Sequence, residues 1–383
     1  MHKLPVKEKV AYAMGDAAAN LVWRGALAYL AVFYTDTFGI SAAAAAMLFL
    51  VVRLSDGVTD IIMGMIADRT NTPQGKFRPW ILWSTPLLAL FMVLCFTTPD
   101  ISYTSKLVYA YLTYIGLTLA YTINNVPYSA LMGVMTPSDT ERTSLSGFRF
   151  AGAFAGGLLV MGFLPELVAY FGEGDKAQGY QYTMYLFAAL LTVLMLITYA
   201  FTHERVQPIV DQTRSLKAEL FDLSKNLPLI ILPLLSATLF FYYRGWISGL
   251  FFAAVVIGMW ILAKRFTSQN ADALSGTQRD MLDLLTNKPW LILLGMGFLT
   301  MMFNGIKYGV IAYYFKYVIG DELLAGQYFI ALLVVSILGA LCTSYLSSKI
   351  GKPQLFILSL VCSGLLTAGF YWIPEGDVQA VFI

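Results

Sequence analysis

Apolar runs of about twenty residues recur along this chain, and they constrain it more than any other feature. In lipid every backbone polar group needs an internal partner, so such runs can cross a membrane only as helices or closed barrels. Runs of this length are the helix signal. They fall near 11–34, 41–66, 79–98, 105–134, 143–170, 182–202, 227–243, 247–264, 289–317, 324–347 and 354–373. With 58% hydrophobic and only 13% charged residues, a soluble domain is excluded. The expected fold is an all-α polytopic membrane protein. The basic N-terminus MHKLPVKEKV leads into a long run without a small-residue cleavage site, so it reads as a retained first span.

Basic residues set the orientation. A cytoplasmic N-terminus places 17 of the 25 Lys and Arg residues in cytoplasmic loops, as the positive-inside rule requires. The basic residues are scattered, so nucleic acid is not an expected partner. Cys95, Cys342 and Cys362 sit in apolar runs without a metal-ligand or disulfide spacing. No nucleophile elbow, phosphate loop or zinc-protease motif is present. No enzyme activity, resident cofactor or structural metal is expected.

The charges inside the spans carry the chemistry. Residues 52–80, VRLSDGVTDIIMGMIADRTNTPQGKFRPW, place Arg53, Asp56 and Asp60 in one apolar run. A charge at the bilayer centre costs about 2.5–3.5 kcal/mol on insertion scales. Asp56 and Asp60 are one helical turn apart, so they share a face with Cβ atoms about 5–6 Å apart. Such a pair can share a small hard cation or a proton; Arg53 could instead neutralise Asp56. In the first span Asp16, Asn20 and Arg24 align at i, i+4 and i+8, facing either a polar cavity or each other. In the fourth, Asn124, Asn125 and Tyr128 surround Pro127. A proline kink frees a backbone carbonyl, and a broken helix at membrane depth is a frequent transporter site; an Asn pair bridging helices is the structural alternative. Arg149, in the glycine-rich SGFRFAGAFAGG, can donate paired hydrogen bonds to a ligand in the cavity, or pair with Asp16 or Asp56. Lys307, with Asn304, Tyr308, Tyr313 and Tyr314, makes a polar and aromatic patch in the 289–317 run, which interface anchoring also explains.

DGVTDIIMGMIADRTNTPQGKFRPW resembles the second-helix and loop signature of the glycoside–pentoside–hexuronide:cation symporters, within the major facilitator superfamily; Ile61 stands where many relatives have Pro. YTINNVPYSALMG and KPWLILLGMGF…YYFKYVIGD are similar to the family's fourth and seventh helices. The resemblance implies cation-coupled sugar symport by alternating access. Asp56, Thr59, Asp60 and Thr122 would bind the coupling ion, Na+ or H+, with Thr59 where family members have an Asn. Asp16, Asn20, Arg24, Asn124, Asn125, Tyr128, Arg149 and Lys307 would bind a small glycoside, pentoside or hexuronide. Asn20 and Asn125 take the places of two sugar-binding Asp residues, and Ser129 that of a stacking Trp. Asp68, Arg69, Lys76, Arg78 and Arg142 would act as the cytoplasmic gate. The expected protein is a monomer in the bacterial inner membrane, in contact with lipid and a small sugar.

The implied organisation is a six-helix N-terminal bundle over 1–205, then a linker over 206–287 containing an extra transmembrane hairpin at about 227–264. A partial C-terminal bundle over 288–383 follows, three family helices short. ELFDLSKNLPLIIL and DMLDLLTNKPWLILL resemble each other, each read as an interfacial helix leading into a span. Two other functions fit the pattern: a lysolipid transporter of the same superfamily, which the polar first and fourth spans disfavour, and a non-transporting truncated membrane protein.

Overall fold

The computed structural model describes residues 3–206, 215–243, 246–267, 275–319 and 322–372. Twelve α-helices run in order among them: α1 (Val6–Gly25), α2 (Ala42–Arg69), α3 (Arg78–Cys95), α4 (Tyr103–Met135), α5 (Asp139–Gly172), α6 (Lys176–Phe201), α7 (Leu216–Tyr243), α8 (Trp246–Thr267), α9 (Gly276–Thr286), α10 (Lys288–Tyr314), α11 (Glu322–Ile350) and α12 (Lys352–Gly369). No strand occurs among the described residues. Contacts divide the chain into two compact units, each taken by itself. One is Met1–Val52, Ala67–Ile209 and Ile311–Ile383; the other is Arg53–Ile66 and Val210–Val310.

In the first unit α1 packs along α5 and α6, and α3 along α4 and α6. Lipid tails are as apolar as leucine, so helix association in a membrane relies on close van der Waals packing, which small residues permit. Gly152 and Gly156 lie against the backbone of α1: a Cβ on either would fall on the carbonyl oxygen of Ala13 or Ala17. The two glycines and the two alanines share the i, i+4 spacing that stacks them on one face each.

Polar side chains tie the helix ends. Arg205 donates to both carboxylate oxygens of Glu8, at 2.7 and 2.8 Å, and its backbone N–H reaches the carbonyl of Val134. The Glu8 hydrogen bonds raise the Arg205 pKa above its ordinary value. Lys9 pairs with Glu141 at 2.8 Å, joining α1 to α5. The Glu204 carboxylate accepts from the N–H groups of Lys76, Phe77 and Arg78 at 2.8, 2.8 and 3.0 Å, filling the orphan donors of the α3 start. At the other end of the unit an aromatic cluster closes the core, with the Phe33 ring 5.1 Å from those of both Phe96 and Tyr180.

After Gly25 the chain continues through two π-helical turns, Ala26–Leu30 and Phe33–Thr37. Single π-turns inside helices concentrate near functional sites, and these follow directly on the Asp16–Arg24 series.

In the second unit α7, α8 and α9 contact one another. The two similar stretches do not fold alike. The second forms the separate helix α9, bent 75° from the start of α10. Asn287 Oδ1 accepts from the Trp290 N–H at 3.1 Å, capping the new helix ahead of Pro289. The first merges into α7 without a break, which corrects the expectation of a distinct interfacial helix there. Asn226, the counterpart of Asn287, is engaged elsewhere: its amide donates to Ser275 Oγ and its carbonyl accepts from Gln278. It therefore ties α7 to the start of α9 instead of capping a new helix.

Six helices are long and apolar enough to cross a membrane, or seven if α9 and α10 count as one bent span, among the described residues. The helices α1, α2 and α4 are not among these six. They carry Asp16 and Arg24, the Arg53–Asp60 charges and the Asn124–Asn125 pair. The polar residues that lower their hydropathy are the ones whose chemistry needs explaining.

Candidate functional site

The first unit brings α1, α4 and α5 together around one ion pair. Arg149 Nε donates to Asp16 Oδ2 at 2.9 Å, and an Arg149 terminal nitrogen donates to Ser129 Oγ at 3.1 Å. The guanidinium also lies 5.4 Å from the Tyr128 ring centroid, a cation–π distance. Asp16 is buried. Of the partners open to Asp16 on the sequence, the chain uses Arg149; Arg24 lies two turns along α1, beside Gly157 of α5. Of the two partners weighed for Asp16, Arg24 and Arg149, the second is the one it pairs with.

Beneath the pair sits a staple that sequence reasoning missed. Tyr12 and Tyr128 stack at 4.7 Å, and each hydroxyl donates to the other's backbone carbonyl, at 3.2 and 2.6 Å. Both rings are fully buried. Tyr128 is thereby engaged with α1 and with Arg149, beneath the ion pair. The available signal was the i, i+4 spacing of Tyr12 and Asp16.

The remaining candidates separate. The Asn20 amide donates to the Asp16 carbonyl at 2.9 Å. Asn124 is buried and donates to Ser84 Oγ at 2.8 Å. It faces α3, which corrects its expected place beside Asn125. Successive helical residues are about 100° apart, so the two amides cannot serve one face. Asn125 is half-buried, and its Oδ1 is a buried acceptor without a hydrogen-bond donor. Thr122 is buried in α4. Lys307 lies in α10, and its side chain is outside the described residues.

In the second unit the α2 segment carries Asp56, Thr59 and Asp60 on consecutive turns. Arg53 pairs with Asp56 at 3.4 Å. The Thr59 hydroxyl donates to the Asp56 carbonyl at 3.0 Å, leaving its lone pairs as acceptors.

The basic loop residues are used locally. Lys76 pairs with Asp68 at 3.1 Å. Arg78 donates to the Tyr199 carbonyl at 2.7 Å, and Arg142 to the carbonyls of Gly133 and Thr136 at 3.1 and 3.0 Å. Cations at helix C-termini meet both orphan carbonyls and the macrodipole. Arg78 and Arg142 thus anchor the ends of α6 and α4. Arg69 closes α2 as its last residue.

Comparison with known proteins places this arrangement. The family model described as MFS/sugar transport protein matches residues 11–228 and 223–383. The uncharacterized symporter YnaJ of Bacillus subtilis is 41% identical over 241 residues, 62% of this chain and 52% of YnaJ. The putative glycoside/cation symporter YagG of Escherichia coli is 31% identical over 382 residues, 100% of this chain and 70% of YagG. The isoprimeverose transporter of Lactiplantibacillus pentosus is 36% identical over 250 residues, 64% of this chain and 52% of that protein. The chain thus spans about half the length of two of these relatives. The family is one of membrane transporters, not of enzymes. A multi-pass helical protein with buried charge in its spans, matched by this model along nearly its whole length, belongs to the MFS/sugar transport family, among the glycoside–pentoside–hexuronide:cation symporters of the major facilitator superfamily.

Proposed function

We propose that this protein carries out symport of a small glycoside, pentoside or hexuronide with Na+ or H+ by alternating access. The observation that carries the reading is the Asp16–Arg149 pair, set between membrane helices and backed by the tyrosine staple. Charges in spans are costly and mark transport pathways, and a guanidinium held at two points presents its remaining donors in a fixed plane. Asp16, Asn20, Arg24, Asn125 and Arg149 line the sugar site, with Lys307 as a further donor. The unpartnered Asn125 carbonyl supports this assignment, because a sugar hydroxyl would supply its missing donor. Asp56 and Asp60, with Thr59 and Thr122 as further oxygen ligands, hold the cation. Its binding neutralises the carboxylates and favours the state in which the sugar site is ordered. Asp68 and Arg69 take part in cytoplasmic closure. The bundles are 1–205 and 288–383, separated by the 206–287 linker and its hairpin. The protein acts as a monomer in the inner membrane with its N-terminus in the cytoplasm. The names of YagG and the isoprimeverose transporter agree with sugar as the substrate class.

Uptake of a labelled glycoside panel into vesicles, with a sodium or a proton gradient imposed separately, tests this. Accumulation driven by one gradient is expected and names the ion. No accumulation of any sugar by correctly inserted protein would overturn the reading.

A further inference from the structure

We propose that the groove between the starts of α5 and α12 and the adjoining turns of α11 binds the headgroup of an anionic phospholipid. The groove is a cavity of about 350 Å³ within the first unit. Its mouth presents Arg142 and Lys352 together with the hydroxyls of Thr143, Ser146 and Thr343. Arg142 is pinned by the carbonyls of Gly133 and Thr136, so its guanidinium is oriented before any ligand arrives. Lys352 Nζ lies 3.4 Å from the Asp139 carbonyl. Two cations and the Ser146 hydroxyl suit the acceptor oxygens of a phosphodiester; the hydroxyl protons of Thr143 and Thr343 go to the carbonyls of Asp139 and Gly339.

One carboxylate shares the mouth. Asp139 is 3.9 Å from Arg142, with its side chain 83% exposed. Water screens it, and the count at the mouth stays two cations to one anion. The positive ends of the α5 and α12 dipoles add to the same sign.

The groove changes character along its length, and this points to a lipid. One turn beyond Ser146, Phe150 is 53% exposed on the wall. At Gly147 the backbone of α5 meets the Ala340 carbonyl of α11 so closely that a Cβ would clash, which closes the floor of the groove. A polar, cationic mouth thus passes into an apolar wall within one helical turn. A phospholipid has this sequence of surfaces and inorganic phosphate does not. Basic pockets between membrane helices on the cytoplasmic side bind anionic headgroups on the same principle. The inference concerns binding and is independent of the transport reading.

The test is native mass spectrometry of the full chain purified in detergent. The protein would be offered phosphatidylglycerol and phosphatidylcholine at equal mole fraction. Selective retention of phosphatidylglycerol is expected, with occupancy on the order of ten-fold lower in Lys352→Glu, since reversing one charge near an anionic headgroup counts roughly twice its removal. Lys349→Glu, one turn away over Tyr345, should behave as the wild type. Thr343→Phe fills the groove without changing charge and should lose the lipid as well, which covers the case of a misfolded Lys352→Glu protein. Equal retention of the two lipids, equal loss in Lys349→Glu, or full retention in Thr343→Phe would overturn the proposal. Displacement by millimolar inorganic phosphate would also overturn it, in favour of a free-phosphate site.

Discussion

Arg149 on α5 reaches Asp16 on α1 with a 2.9 Å hydrogen bond from Nε, and both side chains are largely buried. The two helices touch along glycine and alanine faces, so neither side chain can swing out to water. Removing one partner should cost about 3 kcal/mol or more, because the other charge is left uncompensated. Asp16→Asn and Arg149→Gln should each destabilise the protein strongly in a denaturant titration. The double variant should recover part of that stability, since no lone charge remains, yet it should not transport. A double variant no better than the singles would mean that the pair is not the coupled unit described here.

Tyr12→Phe and Tyr128→Phe each remove one hydroxyl and one of the two donors of a buried helix carbonyl. Each should cost about 1 kcal/mol, the net worth of a typical hydrogen bond. The stack stays in place, so sugar affinity should change little. Tyr128→Leu removes the stack and the ring beside Arg149, and it should weaken sugar binding well beyond its stability cost. Binding titrations on the three variants check the ordering; equal affinity in all of them would detach the staple from the site.

Gly156 and Gly133 make a controlled comparison. A side chain at Gly156 must displace the α1 backbone at Ala17, whereas Gly133 has open space around it. Gly156→Leu should cost about 3 kcal/mol, the upper end for overpacking, and little folded protein should accumulate. Gly133→Leu should accumulate normally. Fluorescence-detected size exclusion of membrane extracts separates these outcomes.

Some of this was legible in the sequence, and the line between what was and was not is physical. Asp16, Arg149, Asp56 and Asp60 stand out because each is a charge in an apolar run, where lipid makes charge costly. The spans of α1, α2 and α4 were legible as the apolar runs 11–34, 41–66 and 105–134, with their polar residues read as cavity-facing. Arg149 was one of two partners the sequence offered Asp16, the other being Arg24; helix period fixes a face and does not choose between them. Asn124 and Asn125 looked like one feature; the structure turns Asn124 to Ser84. Tyr12 reads as an ordinary core aromatic. Glu8 and Glu204 read as solvated charges near loops until the fold brings Arg205 and the α3 N–H groups to them. The divergence of the Asn226 and Asn287 stretches was invisible for the same reason, since it depends on Ser275 and Gln278 being in reach.

Glu204 gives a prediction on local order. Its carboxylate accepts three backbone N–H groups at the start of α3, and hydrogen bonds to a charged group are worth about 1.5–3 kcal/mol each before water replaces them. Glu204→Ala should loosen the loop ahead of α3 by about 2 kcal/mol in all. Limited trypsin digestion should then cut after Lys76 much faster than in the wild type. Glu204→Gln keeps one acceptor oxygen and should fall between. Unchanged cleavage would show that the loop is held by Trp80 and Thr70 instead.

The last prediction concerns coupling. Asp56 has a cationic neighbour in Arg53 at 3.4 Å, while Asp60 stands one turn further along the same face of α2. If the two carboxylates share the coupling ion, they are not equivalent: Arg53 already offsets one negative charge. Asp60→Asn should therefore abolish cation-stimulated uptake while leaving insertion and sugar binding measurable. Arg53→Gln should act in the other direction, removing the cation beside Asp56 and raising apparent cation affinity by roughly five- to ten-fold, the range of a single partly exposed charge contact. Sodium- and proton-gradient uptake in the same vesicle preparation checks both. Coupled uptake that survives Asp60→Asn unchanged would remove the carboxylate pair from the mechanism.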